Sequence, residues 1–176
     1  MRVISGKYKG KKLEGFDIDG TRPTMDRIKE SIFGIIQNHI QDSICLDLFA
    51  GSGSLGIEAI SNGAKTCYFV DNNPKILPIL EKNLRNIENT SLIKKDFQQA
   101  LEFFKEQKIQ FDLIFLDPPY SNHLINPTLN YIQKYHLLKE HGMIICEYET
   151  EEVNCLDYKI IKEKKYGNKF IKIYEK

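Results

Sequence analysis

Short apolar runs alternate with helical spacings along this chain, and four of the runs carry an aspartate at or beside their carboxyl end. These are Asp47 in Ile44–Phe49, Asp71 after Thr66–Val70, Asp96 after Ser91–Lys95 and Asp117 after Phe111–Leu116. The stretches between them, Leu55–Ser61, Pro74–Asn86 and Phe97–Glu106, space their apolar residues as helices do. Strand-helix-strand repeats of this length require right-handed crossovers, so the runs must lie parallel in one sheet with helices on both faces. A further helix over Leu124–Tyr135 and a strand over Gly142–Tyr148 continue the pattern. The tail, Tyr158–Glu163 and Lys169–Tyr174 around Tyr166-Gly167-Asn168, has no helix between its strands and adds an antiparallel strand. The expected fold is α/β and Rossmann-like, with a mostly parallel seven-stranded sheet. Upstream, Arg2–Leu13 reads as a small β-hairpin or extended arm, and Ile28, Ile32, Phe33, Ile35 and Ile36 mark a helix from Thr24. Residues 1–40 are therefore expected to form an extension and residues 41–176 the α/β domain.

A chain of 176 residues, 41% apolar, can hold one such domain with a real core. No apolar stretch approaches a membrane span, and the N-terminus is basic and short of apolar residues, so no membrane association is expected and the expected compartment is the cytoplasm. Net charge is only +1, but both ends are basic: Arg2, Lys7, Lys9, Lys11 and Lys12 at one, Lys159 to Lys176 at the other. Basic ends on a near-neutral body suit either a polyanion-facing surface or a solvated lysine-rich one. Cys45, Cys67, Cys146 and Cys155 form no C-x-x-C, and no histidine stands at zinc-ligand spacing, so buried thiols and no metal are expected.

The chemistry lies at the strand ends. Gly51, Gly53 and Gly56 form G-x-G-x-x-G between a strand and a helix start, which permits close backbone approach to a ligand. Asp47, just before that turn, would repel a pyrophosphate and suits an ammonium. Asp71, with Asn72, can accept hydrogen bonds from ribose hydroxyls. Asp96 can take an adenine amine while Phe97 and Phe49 offer rings to the base. Asp71 and Asp96 could instead be helix caps. The ligand that needs ammonium, ribose, adenine and sulfonium sites together is S-adenosylmethionine. At the fourth strand end, Asp117-Pro118-Pro119-Tyr120 is suited to a flat, amine-bearing ring. The Asp117 carboxylate and the Pro118 carbonyl accept amine hydrogens, the prolines fix the backbone, and Tyr120 stacks.

The chain resembles the RsmD-type methyltransferases, a bacterial family that methylates a guanine N2 of small-subunit (16S) ribosomal RNA. The resemblance rests on M-R-V-I-S-G-x-Y-x-G-x-x-L (1–13), T-R-P-T-x-D-R-x-K-E-x-x-F (21–33), L-D-L-F-A-G-S-G-S-L-G-I-E-A (46–59) and F-L-D-P-P-Y (115–120). It implies a class I methyltransferase domain with an N-terminal extension, S-adenosylmethionine as donor, and ribosomal RNA within an assembling small subunit as substrate. It further implies that Arg22, Thr24 and Arg27 sit near the mouth of the site and hold phosphate or the base; a capped, salt-bridged helix start is the other reading. Lys7 and Lys9 would add salt-sensitive RNA affinity. A monomer is expected. A DNA adenine or cytosine amino-methyltransferase shares the two later motifs, and a non-catalytic RNA-binding assembly factor could retain the fold. The N-terminal blocks argue against the first, and the intact strand-end residues against the second.

Overall fold

The structure is a computed structural model and describes residues 1–15, 22–119, 123–150, 152–155 and 157–176, with residues 22–25 described by backbone alone. Helix α1 (Arg22–Ile36) precedes β1 (Ile44–Asp47), α2 (Ser54–Ser61), β2 (Thr66–Val70), α3 (Leu77–Leu84), β3 (Thr90–Ile93) and α4 (Phe97–Glu106). Then come β4 (Phe111–Leu116), α5 (Ile125–Lys134), β5 (Leu138–Tyr148), β6 (Lys159–Tyr166) and β7 (Lys169–Glu175). Among the described residues, seven strands form one sheet in the order β3-β2-β1-β4-β5-β7-β6. Strands β1 to β5 are parallel, whereas β7 runs antiparallel between β5 and β6. The expected Rossmann-like sheet with its antiparallel addition is what forms.

The two-residue alternation of strand side chains divides the core. Cys45, Cys67, Phe69, Leu113, Phe115, Met143, Ile145, Ile171 and Ile173 face one way and are covered by apolar residues of α1, α2 and α3. Leu46, Val70, Ile114, Leu116, Ile144, Cys146 and Tyr174 face the other way and are covered by α4 and α5. The second layer is fixed by rings: Phe104 meets Phe111 edge-on at 5.0 Å, and Tyr68 meets Phe104 at 5.4 Å.

Most boundaries fall within a residue or two of the expectation, but two elements start three or more residues away from it, and β6 runs on to Tyr166 rather than Glu163. Helix α3 begins at Leu77 rather than Pro74: the Ile76 and Leu77 N–H groups close a turn on the Asn73 carbonyl, and Pro78 has no N–H to bond the Pro74 carbonyl, so the regular ladder starts only after it. The Asn73 side chain also accepts from the Lys75 N–H at 3.0 Å, and Asn86 stops the far end at φ 66°. Strand β5 begins at Leu138, not Gly142: polar Lys139-Glu140-His141 hides in sequence a strand whose fully buried Leu138 pairs with Phe111.

The first residues form a small hairpin-like arm with an antiparallel bridge between Arg2 and Lys12. Val3 and Leu13 bury themselves in the cluster shared by α1 and α2. The arm is secured by Glu58 of α2, whose carboxylate accepts from the backbone N–H groups of Ile4 and Ser5 and from the Ser5 hydroxyl. Lys29 of α1 completes the hub, with its Nζ 3.0 Å from Glu58 Oε2, 2.7 Å from the Arg2 carbonyl and 3.1 Å from Ser54 Oγ.

Candidate active site

Chain order reverses between β1 and β4, and at that switch point the carboxyl ends of the parallel strands open a crevice. A cavity of about 790 Å³ lies there. Its described lining brings together Asp47, Phe49, Gly51, Asp71, Asn72, Asp96, Phe97, Asp117, Pro118 and Pro119. Among the described residues, seven carboxylates and three lysines line it, so their field favours a cationic ligand. Among the described residues, no group of three or more metal-ligating side chains is placed to hold an ion.

The glycine turn is built from backbone that a side chain would resist. Gly53 caps α2 at φ 79° and donates its N–H to the Ala50 carbonyl at 2.7 Å; a Cβ there would come within 2.8 Å of Leu80. Gly53 thus shapes the turn without itself lining the cavity, while Gly51 does line it. Asp71 clamps the turn from the next strand by accepting from the Gly51 N–H at 3.0 Å with one oxygen and from the Asn73 N–H at 2.9 Å with the other. Each oxygen keeps a second lone pair, so holding the turn and receiving a hydroxyl are compatible. Asp96 likewise has two duties. It lines the cavity, and its Oδ1 caps α4 by accepting from the Gln98 and Gln99 N–H groups at 2.9 and 3.0 Å. Phe49 and Phe97 stand 5.8 Å apart and form an apolar wall beside it.

Asp47 is buried behind the turn and accepts from the Gly56 N–H at 2.9 Å. Burial pushes its carboxyl up to about 7, against the pull of the Gly56 N–H, and neighbouring Asp71 adds to the rise. A cation in the cavity would restore the charged form. Asp117 follows β4 on the α1-covered face of the sheet, two residues beyond Phe115, with Pro118 buried and Pro119 exposed at the rim. Tyr120 lies outside the described residues.

The expected RNA-facing residues divide. Arg22 and Thr24 fall in the first turn of α1, and Asp26, Ile28 and Lys29 of the same helix line the cavity. Arg27 is exposed and does not line it. Lys7 and Lys9 are placed elsewhere. The Lys7 N–H donates to the Ser61 carbonyl at the end of α2 remote from the glycine turn, and its ammonium pairs with Glu88 at 2.5 Å. Lys9 is exposed on the same loop. Nor does the basic tail form one surface: Lys162, Lys164 and Lys165 are exposed on edge strand β6, Lys172 is buried, and Lys169 lines the cavity.

Sequence reasoning missed Lys29, Glu58, Glu147 and Lys169. Glu147 carried the same signal as the aspartates, an acid ending an apolar strand at Met143–Cys146. Its partner Lys169, 2.5 Å away across β5 and β7, could not be identified without the strand order.

Comparison with known proteins agrees with this architecture. The family model described as Conserved hypothetical protein 95 matches residues 1–175. The chain is 34% identical to Ribosomal RNA small subunit methyltransferase D of Haemophilus influenzae, over 99% of this chain and 93% of that protein. It is 33% identical to the protein of the same name in Escherichia coli K12, over 86% and 76%. The solved structure of the Escherichia coli chain yhhF, described as a methyltransferase, superposes with a TM-score of 0.86 at 28% identity, covering 100% of this chain and 97% of that one. The strand-end acids, the glycine turn and these full-length matches place the chain in the RsmD family of ribosomal RNA small-subunit methyltransferases.

Proposed function

We propose that this protein transfers a methyl group from S-adenosylmethionine to the exocyclic N2 amine of one guanine in 16S ribosomal RNA, on an assembling small subunit. The observation that carries the reading is that Asp117-Pro118-Pro119 opens into the same cavity as Asp47, Asp71 and Asp96. A donor half and an amine-binding half therefore share one space. The family's named members, which act on small-subunit ribosomal RNA, supply the polymer.

The lining fits the donor. Asp47 is buried, has no lysine in contact among the described residues, and is suited to an ammonium; Asp71 reaches a ribose; Asp96, Phe49 and Phe97 suit an adenine. Bound there, S-adenosylmethionine supplies an electrophilic methyl on a sulfonium. The protein's part is positional. A guanine N2 lone pair is delocalised into its ring, and the base must leave its stack to be reached. The Asp117 carboxylate and Pro118 carbonyl each accept one N2 hydrogen, which turns the lone pair into the cavity. Tyr120 stacks on the ring. Positive charge growing on the nitrogen is stabilised by Asp117, and the proton is shed late, after the amine has become acidic. Arg22, Thr24 and Arg27 hold the neighbouring phosphates. The protein acts as a monomer in the cytoplasm.

Tritium transfer from S-adenosylmethionine to small subunits lacking the mark, beside naked ribosomal RNA and duplex DNA, tests this directly. N2-methylguanosine on subunits is expected, with Asp117→Ala losing transfer while retaining cofactor binding. Label on DNA alone, or near-normal turnover by Asp117→Ala, would overturn the assignment.

A further inference from the structure

Of the polar side chains at the amine-binding end of the cavity, three come from three adjacent strands, and their order suggests what they read; Glu149, just past β5, also lines that end and accepts from Asn168 Nδ2 at 3.0 Å. Asp117 follows β4, Glu147 lies on β5 and Lys169 begins β7, and β4, β5 and β7 are consecutive in the sheet. All three project on the α1-covered face, because Asp117 continues Leu113 and Phe115, Glu147 continues Ile145, and Lys169 precedes Ile171 by two. Lys169 Nζ and Glu147 Oε1 are 2.5 Å apart, although their strands are spaced at ~4.8 Å, so the side chains converge over the cavity. The pair is largely withdrawn from water, with the side chains 17% and 9% exposed.

A charge pair placed there costs desolvation that an apolar pair would avoid. Its chemistry matches a guanine edge. Along that edge the groups run O6, N1–H, N2–H₂: acceptor, donor, donor. Across the sheet the protein presents Lys169, Glu147 and Asp117: donor, acceptor, acceptor. We propose that Glu147 and Lys169 are specificity-determining residues that read the guanine N1–H and O6 while Asp117 holds N2. This rests on the guanine-N2 reading above and deepens it. Adenine and cytosine present a ring nitrogen lone pair where guanine presents N1–H, and that lone pair would face the Glu147 carboxylate. A site that buries hydrogen-bonding groups rejects a ligand lacking their partners, because those groups are then left unsatisfied.

The test uses the full-length protein on small subunits reconstituted with 2-aminopurine riboside at the mapped position in place of guanosine. 2-Aminopurine keeps the amine and lacks both N1–H and O6. The native protein should prefer guanosine in kcat/KM by about tenfold or more, the effect of losing charge-assisted hydrogen bonds. The Glu147→Met/Lys169→Met variant, which removes both charges at similar volume, should lose that preference: it slows on guanosine and no longer strands buried charges against 2-aminopurine, so the two kcat/KM values converge. Glu147→Gln, which keeps an acceptor, should fall between. S-adenosylmethionine affinity, measured by titration calorimetry, should be unchanged in all. Equal slowing on both bases, or an intact preference in the double variant, would overturn the proposal and leave the pair a structural one. Absence of N2-methylguanosine from native protein on guanosine subunits would instead remove the reading on which it rests, and the proposal with it.

Discussion

Glu58→Ala should be among the most damaging single substitutions in this chain although Glu58 does not line the cavity. The carboxylate has no solvent exposure and accepts from Ile4 N–H at 3.0 Å, Ser5 N–H at 2.9 Å and Ser5 Oγ at 2.8 Å, besides its contact with Lys29 at 3.0 Å. The Lys29 side chain is only 5% exposed, so removing its partner leaves a buried ammonium with, among the described residues, only the Arg2 carbonyl and Ser54 hydroxyl to support it. One-sided loss of a buried pair costs about 3–5 kcal/mol, and the arm donors, which can rehydrate if the arm lifts, add little beyond that. A loss of ~4 kcal/mol would be a large part of a typical 5–15 kcal/mol stability and would lower Tm by roughly 8–16 °C at this chain length. Urea unfolding should show the midpoint falling with little change in slope, and limited proteolysis should cut the arm first. The Lys29→Met/Glu58→Met variant should lose less than Glu58→Ala because no buried charge is stranded. A Glu58→Ala loss below about 1 kcal/mol, or a double variant worse than the summed singles, would refute the reasoning.

Other outcomes follow from the same geometry. Because the folded-state pKa of Asp47 lies near 7, above the ordinary 3.8, the folded chain holds a proton that the unfolded chain releases. Its contribution is therefore fully present below about pH 4 and is lost as pH rises through about 7, and Asp47→Asn should flatten that part of the urea stability profile. A cationic ligand favours the carboxylate, so calorimetric S-adenosylmethionine affinity should rise from about pH 6 to about pH 8, and a flat native profile would contradict the ammonium role. Asp71→Ala frees the Gly51 and Asn73 N–H groups and should weaken cofactor affinity by about tenfold while leaving turnover at saturation nearly unchanged; an equal loss of saturated turnover would assign Asp71 to the chemical step. Gly6→Ala places a Cβ 1.8 Å from the Ser61 carbonyl oxygen at φ 75°, and should cost about 2 kcal/mol or more in urea unfolding; a silent substitution would mean the arm is not anchored as described.

The strand ends were legible because their signals are local. A short apolar run followed by an acid, a glycine pair and a helical spacing are each read within a dozen residues, and β2, α4 and β4 begin and end where the pattern places them. The cap alternative for Asp96 was equally legible, and the structure shows cap and cavity lining in one side chain. Boundaries slipped where local pattern and tertiary burial disagree, as at Leu138, whose polar neighbours conceal a buried strand start.

The sequence by itself determined the parallel sheet, its two apolar faces and the row of acids along one edge, since two-residue and helical periodicities dictate which side chains share a face. Tertiary structure alone decided which distant charges meet. Glu58 reaches Lys29 because α1 and α2 pack on the same face, and Glu147 reaches Lys169 because β7 inserts between β5 and β6. That insertion buries the apolar Ile171, Ile173 and Tyr174 and leaves the lysine-rich β6 at the solvated edge, a choice governed by the free energy of burial across the whole sheet rather than by any local stretch of chain.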